Sequence, residues 1–378
     1  MPINNNFHDK PFDDATKLKL DIFKGYIREW LPVFMTESQR TRHISNVNLF
    51  DLFAGPGADS EGNDGSPAII VKELKAYCET RGVLKTGKRI RLYFNDKEEE
   101  KIKKLQKTLA DISCSKGCCE LKYSSLPFER ALENLYPVIC DIKSANLIIM
   151  DQFGISDVTP EVVQKLARCA FTDILFFFPS SFLKRFQEHP TFTSKYDLKG
   201  RNLDYKTIHR HVCDYFREKL TGINYHLAPF SIKKGSNIHG VVFGSGSQFG
   251  LEKFLKVCWD IDSQTGEANY NIDNDLVRDG VQSLFPEMNT FRKIDLFKND
   301  LKEYIEKATP NNLEVYEFSL EKGFPPREAK KALHNLLEAN WLQVESLEVG
   351  NAARKGAYYL GYREKDAKIR FYRNKGSV

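Results

Sequence analysis

Nowhere in the 378 residues is there an unbroken apolar run of the roughly 18 residues that a bilayer-spanning helix needs. The opening MPINNNFHDKPFDD has neither a basic n-region nor an apolar h-region, so a cytoplasmic protein with no membrane partner is expected. Cysteine is scarce: eight residues, at 78, 114, 118, 119, 140, 169, 213 and 258, lack the paired spacing of a disulfide framework and are expected as reduced thiols. Their densest group, CSKGCC, has no companion His or Cys pair to complete a tetrahedral site, so no metal is expected. An excess of one charge is also missing, since 56 Lys and Arg face 51 Asp and Glu for a net +5, too mild to name a partner. Its distribution is informative: from Gly350 to Val378 eight basic residues stand against two acids, and such a basic end suits contact with a polyanion. No internal repeat is present, and the length suits two domains of the usual ~100–200 residues.

The first helix is expected to start at Asp13 or Asp14 and to place Leu18, Ile22, Phe23, Tyr26, Ile27, Trp30 and Leu31 on one face until Pro32 ends it. From Val47 to about Phe243 the runs NVNLFDLF, IRLYFN, CELKY, ANLIIMD, TDILFFFP and HGVVFG alternate with helical patterns. Near-continuous apolar strands of this kind are buried on both faces, which predicts an α/β domain built on a parallel sheet. The polar stretch DIDSQTGEANYNIDNDLVRDG then reads as a surface connection. The expected domains are 1–265, a connector 266–292, and 293–378. In the last, helices near Lys293–Ala308, Leu313–Lys322 and Arg327–Asn340 precede the strand WLQVES, a loop Gly350–Gly356 and the strand AYYLGY, the order of a winged helix-turn-helix.

Three strand ends carry the chemistry. The first runs into Asp51-Leu52-Phe53-Ala54-Gly55-Pro56-Gly57, and glycines there let the backbone turn sharply and approach a ligand. Ser60 breaks the dinucleotide Gly-x-Gly-x-x-Gly spacing and no Gly-Lys-Ser/Thr follows, which disfavours a phosphate cradle; a turn needed only for packing stays open. The second strand ends in Asn95-Asp96, where a carboxylate can accept both ribose hydroxyls of a nucleoside or cap the helix that follows. The third ends in Asp151-Gln152-Phe153-Gly154, placed where ligands bind open parallel sheets, although Asp151 capping a loop is the plainer possibility. Phe178-Pro179-Ser180-Ser181 is a further candidate rim, while His209 and His211, two apart on a helix, cannot share a ligand. On the third C-terminal helix Arg327, Lys330, Lys331 and His334 form a basic stripe and Arg354-Lys355 lie in the wing; these suit nucleic-acid phosphates, or alternatively a protein contact.

An Asp at a strand end followed by Phe-Ala-Gly-x-Gly resembles motif I of the class I S-adenosylmethionine-dependent methyltransferases. More widely, Asp14-Ala15-Thr16-Lys17-Leu18, Asp51 to Gly57, Gly65-Ser66-Pro67, Asp151-Gln152-Phe153-Gly154 and Lys256-Val257-Cys258-Trp259 resemble the three-Cys-motif partner protein family. The resemblance implies a Rossmann-like class I methyltransferase domain with a C-terminal winged helix-turn-helix, S-adenosylmethionine as cofactor, and an associated three-Cys-motif protein as partner. It implies a cofactor pocket of Asp51, Phe53, Ala54, Gly55, Gly57 and Asn95 or Asp96, and an acceptor site of Asp151, Gln152 and Phe153. Base-amine methyltransferases carry Asp/Asn-Pro-Pro-aromatic where this chain has Gln152, Phe153 and Gly154 after Asp151. The function expected is methyl transfer to a nucleic acid, duplex DNA foremost, or to a nucleotide-like acceptor. The alternative is a methyltransferase-fold partner without turnover, or a nucleic-acid-binding regulatory protein.

Overall fold

The computed structural model describes residues 10–36, 38–81, 87–112, 118–186, 204–273, 293–347, 356–362 and 364–374. They belong to two compact units, Met1–Gly250 and Leu251–Val378.

In the first unit, strands β1 (Asn46–Asp51), β2 (Arg89–Asn95), β3 (Glu120–Ser124), β4 (Ser144–Met150), β5 (Thr172–Phe178), β6 (His226–Lys234) and β7 (Asn237–Ser245) form one sheet. Its spatial order is β3-β2-β1-β4-β5-β7-β6. Strands β1 to β5 run parallel, and β7 is antiparallel to both β5 and β6. Every residue of β1 and β4 is buried, as central strands covered on both faces must be. Between β1 and β4 the strand order reverses, and the crevice at such a switch point is where ligands of open α/β sheets lie. The helices are α1 (Asp14–Met35), α2 (Ser66–Arg81), α3 (Glu99–Ala110), α4 (Phe128–Ile139), α5 (Pro160–Ala167), α6 (Ser181–Phe186), α7 (Ile208–Lys219) and α8 (Gln248–Ile261).

Several sequence expectations need correction. Strand β6 was not anticipated, because Pro229 interrupts its apolar run; at the edge of the sheet the missing N–H costs no ladder bond. Asp13 is the cap of α1, its side chain accepting from Thr16 N, yet the helix continues past Pro32 to Met35. Burial of Trp30, Leu31 and Met35 holds the last turn, and Lys88 Nζ donates to the Phe34 carbonyl at 2.6 Å, satisfying a C-terminal acceptor. Cys140 and Cys169 are joined as a disulfide, not left as thiols: the ends of α4 and α5 bring together residues 29 apart in sequence.

The second unit contains most of α8, then α9 (Lys293–Ala308), α10 (Asn312–Glu321), α11 (Pro326–Glu338) and the antiparallel pair β8 (Leu342–Ser346) and β9 (Ile369–Arg373). Asn311 caps α10 through a full capping box with Glu314. Phe324 is the centre of this core, stacked on Phe297 at 4.0 Å and beside Trp259 at 5.0 Å. Trp259 also donates to the Gly323 carbonyl. Residues 262–268 form an ordered turn instead of a loose connector. Asp262 accepts from Thr265 Oγ1 and from the Glu267 and Ala268 amides, and the Trp259 ring lies where a Cβ on Gly266 would be. Residues 274–292 lie outside the described residues. The second strand of the pair is Ile369–Arg373 and not 357–362, since in IRFYR the alternate residues Ile369 and Phe371 are buried, which suits a half-buried strand.

Candidate functional site

The carboxyl ends of β1, β2 and β4 bring Asp51, Asp96 and Asp151 to one edge of the sheet. Asp51 is fully buried. One of its oxygens accepts from the Phe53 amide at 3.2 Å, while Oδ2 is buried with no hydrogen-bond partner. Burial pushes its pKa up to about 7; Ser66 and the Phe53 amide oppose that rise, and the neighbouring Asp151 and Asp96 add to it.

Asp96 braces the bend. Its Oδ2 accepts from the Gly55 amide at 3.1 Å and its Oδ1 from Glu98 at 2.9 Å, and Gly55 adopts φ 60°, which glycine tolerates without steric cost. Ala54 donates to the Asn95 carbonyl, and Phe53 stacks on Phe128 at 5.0 Å. Asn95 is buried and spent on scaffolding: Nδ2 donates to Leu126 O, and Oδ1 accepts from Ser124 Oγ and the Leu126 amide. Of the two candidates for the ribose contact, Asp96 is therefore the one with an exposed part. Gly57 has a different reason to be glycine. Its φ is 86°, and a Cβ there would come within 2.6 Å of Leu105 on α3, so a side chain would collide with the protein itself. The loop beyond it is tied down by Asp59, which accepts from the amides of Glu61, Asn63 and Phe12 and from the Asn63 side chain. Burial raises the Asp59 pKa, but these bonds outweigh it and hold the carboxyl at about 2.

Asp151 pairs with Lys19 of α1, a residue that no strand-end motif marks. Lys19 Nζ also sits 4.8 Å from the centroid of Phe177, whose ring stacks with His239 at 5.5 Å. Burial lowers the His239 pKa to about 4, aided by Lys234 and Lys19, and its Nδ1 is buried without a partner. The signal for Lys19 was its phase, since positions 19, 22, 23, 26 and 30 share one helical face. Gln152 is buried and committed to the loop: Nε2 donates to Phe177 O, and Oε1 accepts from the Asp157 and Val158 amides. Phe153, by contrast, is 56% exposed. Ser180 and Ser181 are fully buried and form no rim, for Ser180 Oγ meets His209 Nδ1 at 2.7 Å and Ser181 Oγ donates to Ile238 O.

No protein-family model and no curated protein matches this chain. Among solved structures, Trm1 from Pyrococcus horikoshii with S-adenosyl-L-methionine has a TM-score of 0.37 at 12% identity, over 64% of this chain and 58% of its own. The O-methyltransferase TomG from Streptomyces achromogenes with SAM scores 0.32 at 12% identity, over 62% and 90%. The magnesium protoporphyrin IX methyltransferase ChlM from Synechocystis with bound SAH scores 0.33 at 10% identity, over 63% and 90%. At these scores no residue role transfers from them.

On α11, the basic stripe is largely neutralised by acids. Arg327 pairs with Asp260 and Glu328, Lys331 with Glu328, and His334 stands 3.2 Å from Glu338. Lys330 is exposed, as is Arg370 on β9. Arg354 and Lys355 lie outside the described residues.

Proposed function

We propose that the first unit is a class I S-adenosylmethionine-dependent methyltransferase domain acting on a nucleic acid or nucleotide-like acceptor. The observation that supports this most is that three acidic strand ends lie along one carboxyl edge of the sheet, two of them at its switch point, with one oxygen of Asp51 buried and unpartnered. An acceptor atom of that kind fits the polar end of an amino-acid nucleoside, and Asp96 behind the Gly55 bend fits its ribose. Phe53 and Ala54 line the same bend, and Asp151 with Phe153 faces the acceptor side. The cofactor brings an already activated methyl group, so alignment of the acceptor by protein side chains supplies most of the rate. Calorimetry with S-adenosylhomocysteine tests the pocket. The wild type should bind, and Asp96→Ala should lose about 10- to 100-fold in affinity, as expected when hydrogen bonds to a charged group are removed. Absence of binding by the wild type would sink this reading.

A methyltransferase-fold partner without turnover is the second reading, favoured by the pairing of Asp151 with Lys19; it predicts cofactor binding without transfer. We read the second unit as a winged helix that contacts nucleic acid through Lys330 and Arg370, and the whole as a cytoplasmic protein. Because its neighbours on α11 are already paired with acids, few phosphate contacts are expected. Lys330→Glu with Arg370→Glu should weaken binding to all sequences and reduce the slope of log affinity against log salt by roughly 2. An unchanged slope would make this unit a protein-contact module.

A further inference from the structure

We infer that the acceptor atom is a hydroxyl oxygen of an RNA ribose, held against the Lys19–Asp151 ion pair. The inference rests on the methyl-transfer reading of the site. Lys19 Nζ and Asp151 Oδ2 form a direct ion pair at the carboxyl edge of β4 with side chains only 11% and 20% exposed, which sets the other ammonium hydrogens beside the second carboxylate oxygen, and Phe177 lies beside the ammonium. An ammonium only donates hydrogen bonds and a carboxylate only accepts them. A hydroxyl satisfies both at once, since its lone pair accepts from Lys19 while its proton points to Asp151. The exocyclic amine of a base offers N–H donors and a delocalised lone pair, so it would set donor against donor at Lys19. The amide that could have held such an amine is also spent: Gln152 is consumed by Phe177, Asp157 and Val158. Within a nucleic acid, the hydroxyls along the chain are those of ribose, which points to RNA.

In the step itself, the hydroxyl oxygen bonds to the methyl carbon as the carbon–sulfur bond of the sulfonium breaks. That electron pair stays on sulfur to give the thioether, and the hydroxyl proton passes to Asp151 and then to water.

The test uses the full chain with methyl-labelled S-adenosylmethionine and two oligonucleotide pools of the same sequences, one RNA and one DNA. Label should enter RNA alone and be recovered on ribose oxygen after nuclease digestion. Lys19→Ala should slow transfer by about 100-fold, at the low end for a positioned proton-transfer site, with affinity for S-adenosylhomocysteine unchanged. Lys19→Arg, which keeps the charge, should restore part of the rate, and the unchanged affinity of Lys19→Ala shows that this variant folds. Label on a base nitrogen, equal labelling of DNA, labelling of neither pool, or full activity in Lys19→Ala would each overturn the inference. A wild-type chain that does not bind S-adenosylhomocysteine would instead defeat the methyltransferase reading beneath it.

Discussion

Gly240→Ala is expected to cost the first unit about 3–5 kcal/mol of stability, from overpacking together with the loss of buried hydrogen bonds. A Cβ at this position would come within 2.2 Å of the His209 imidazole. The ring has nowhere to go, since Nδ1 meets Ser180 Oγ at 2.7 Å and Nε2 meets the Val241 carbonyl at 3.1 Å, and His209 is fully buried. Neither can the strand move away, because Gly240 pairs with Phe178 of β5 on one side and Ser231 of β6 on the other. Urea denaturation should show a lower midpoint at constant slope. His209→Ala in the same chain removes the obstacle, so the double variant should be more stable than the sum of the two single losses predicts. Simple additivity would mean that the methyl group acts elsewhere.

Asp51→Asn should remove much of the pH dependence of stability in the neutral range. Burial raises the Asp51 pKa to about 7, against roughly 3.9 in an unfolded chain. A proton is therefore held more tightly in the folded state. Its stabilising contribution is complete below about pH 4 and is lost as pH rises through about 7, amounting to something on the order of 4 kcal/mol. Burial also raises Asp173 to about 6, opposed by Ser245, Tyr26 and Trp30, and its contribution disappears over a lower window. The fall in unfolding free energy between about pH 6.5 and 7.5 consequently reports chiefly on Asp51. In Asp51→Asn the fall over that interval should disappear, and below pH 6 the loss from Asp173 is offset by His239, whose lowered pKa of about 4 makes stability rise with pH over nearly the same window. An Asp51→Asn chain with the same slope as the wild type would show that this carboxyl is solvated and carries no strain of burial.

Strand ends were the legible part of the site. Asp51, Asp96 and Asp151 each follow an apolar run, and in a parallel sheet such runs all point the same way, so their ends share an edge. Lys19 was not legible, because a helical stripe is counted from apolar residues and a lysine in phase with it looks like an interruption. Asn95 and Gln152 stood beside the right residues in sequence, but their amides turn inward to bind backbone groups, and nothing in their spacing says which neighbour faces the crevice. The spacing of Arg327, Lys330, Lys331 and His334 along α11 is a local property of the sequence. The neutralisation of this stripe by Asp260, 67 residues from Arg327, could only come from folding.

What the amino-acid order determined alone was the alternation of buried strands with helices, the glycine bend after β1 and the three acidic strand ends, because these depend on local periodicity and on backbone freedom at single residues. Tertiary structure decided the reversal of β7, the burial of Asp51 without a partner for Oδ2, the meeting of Lys19 with Asp151 across 132 residues, and the joining of Trp259 to Phe324. Those are contacts between distant segments, and burial and charge pairing acquire their energies only once such segments have packed.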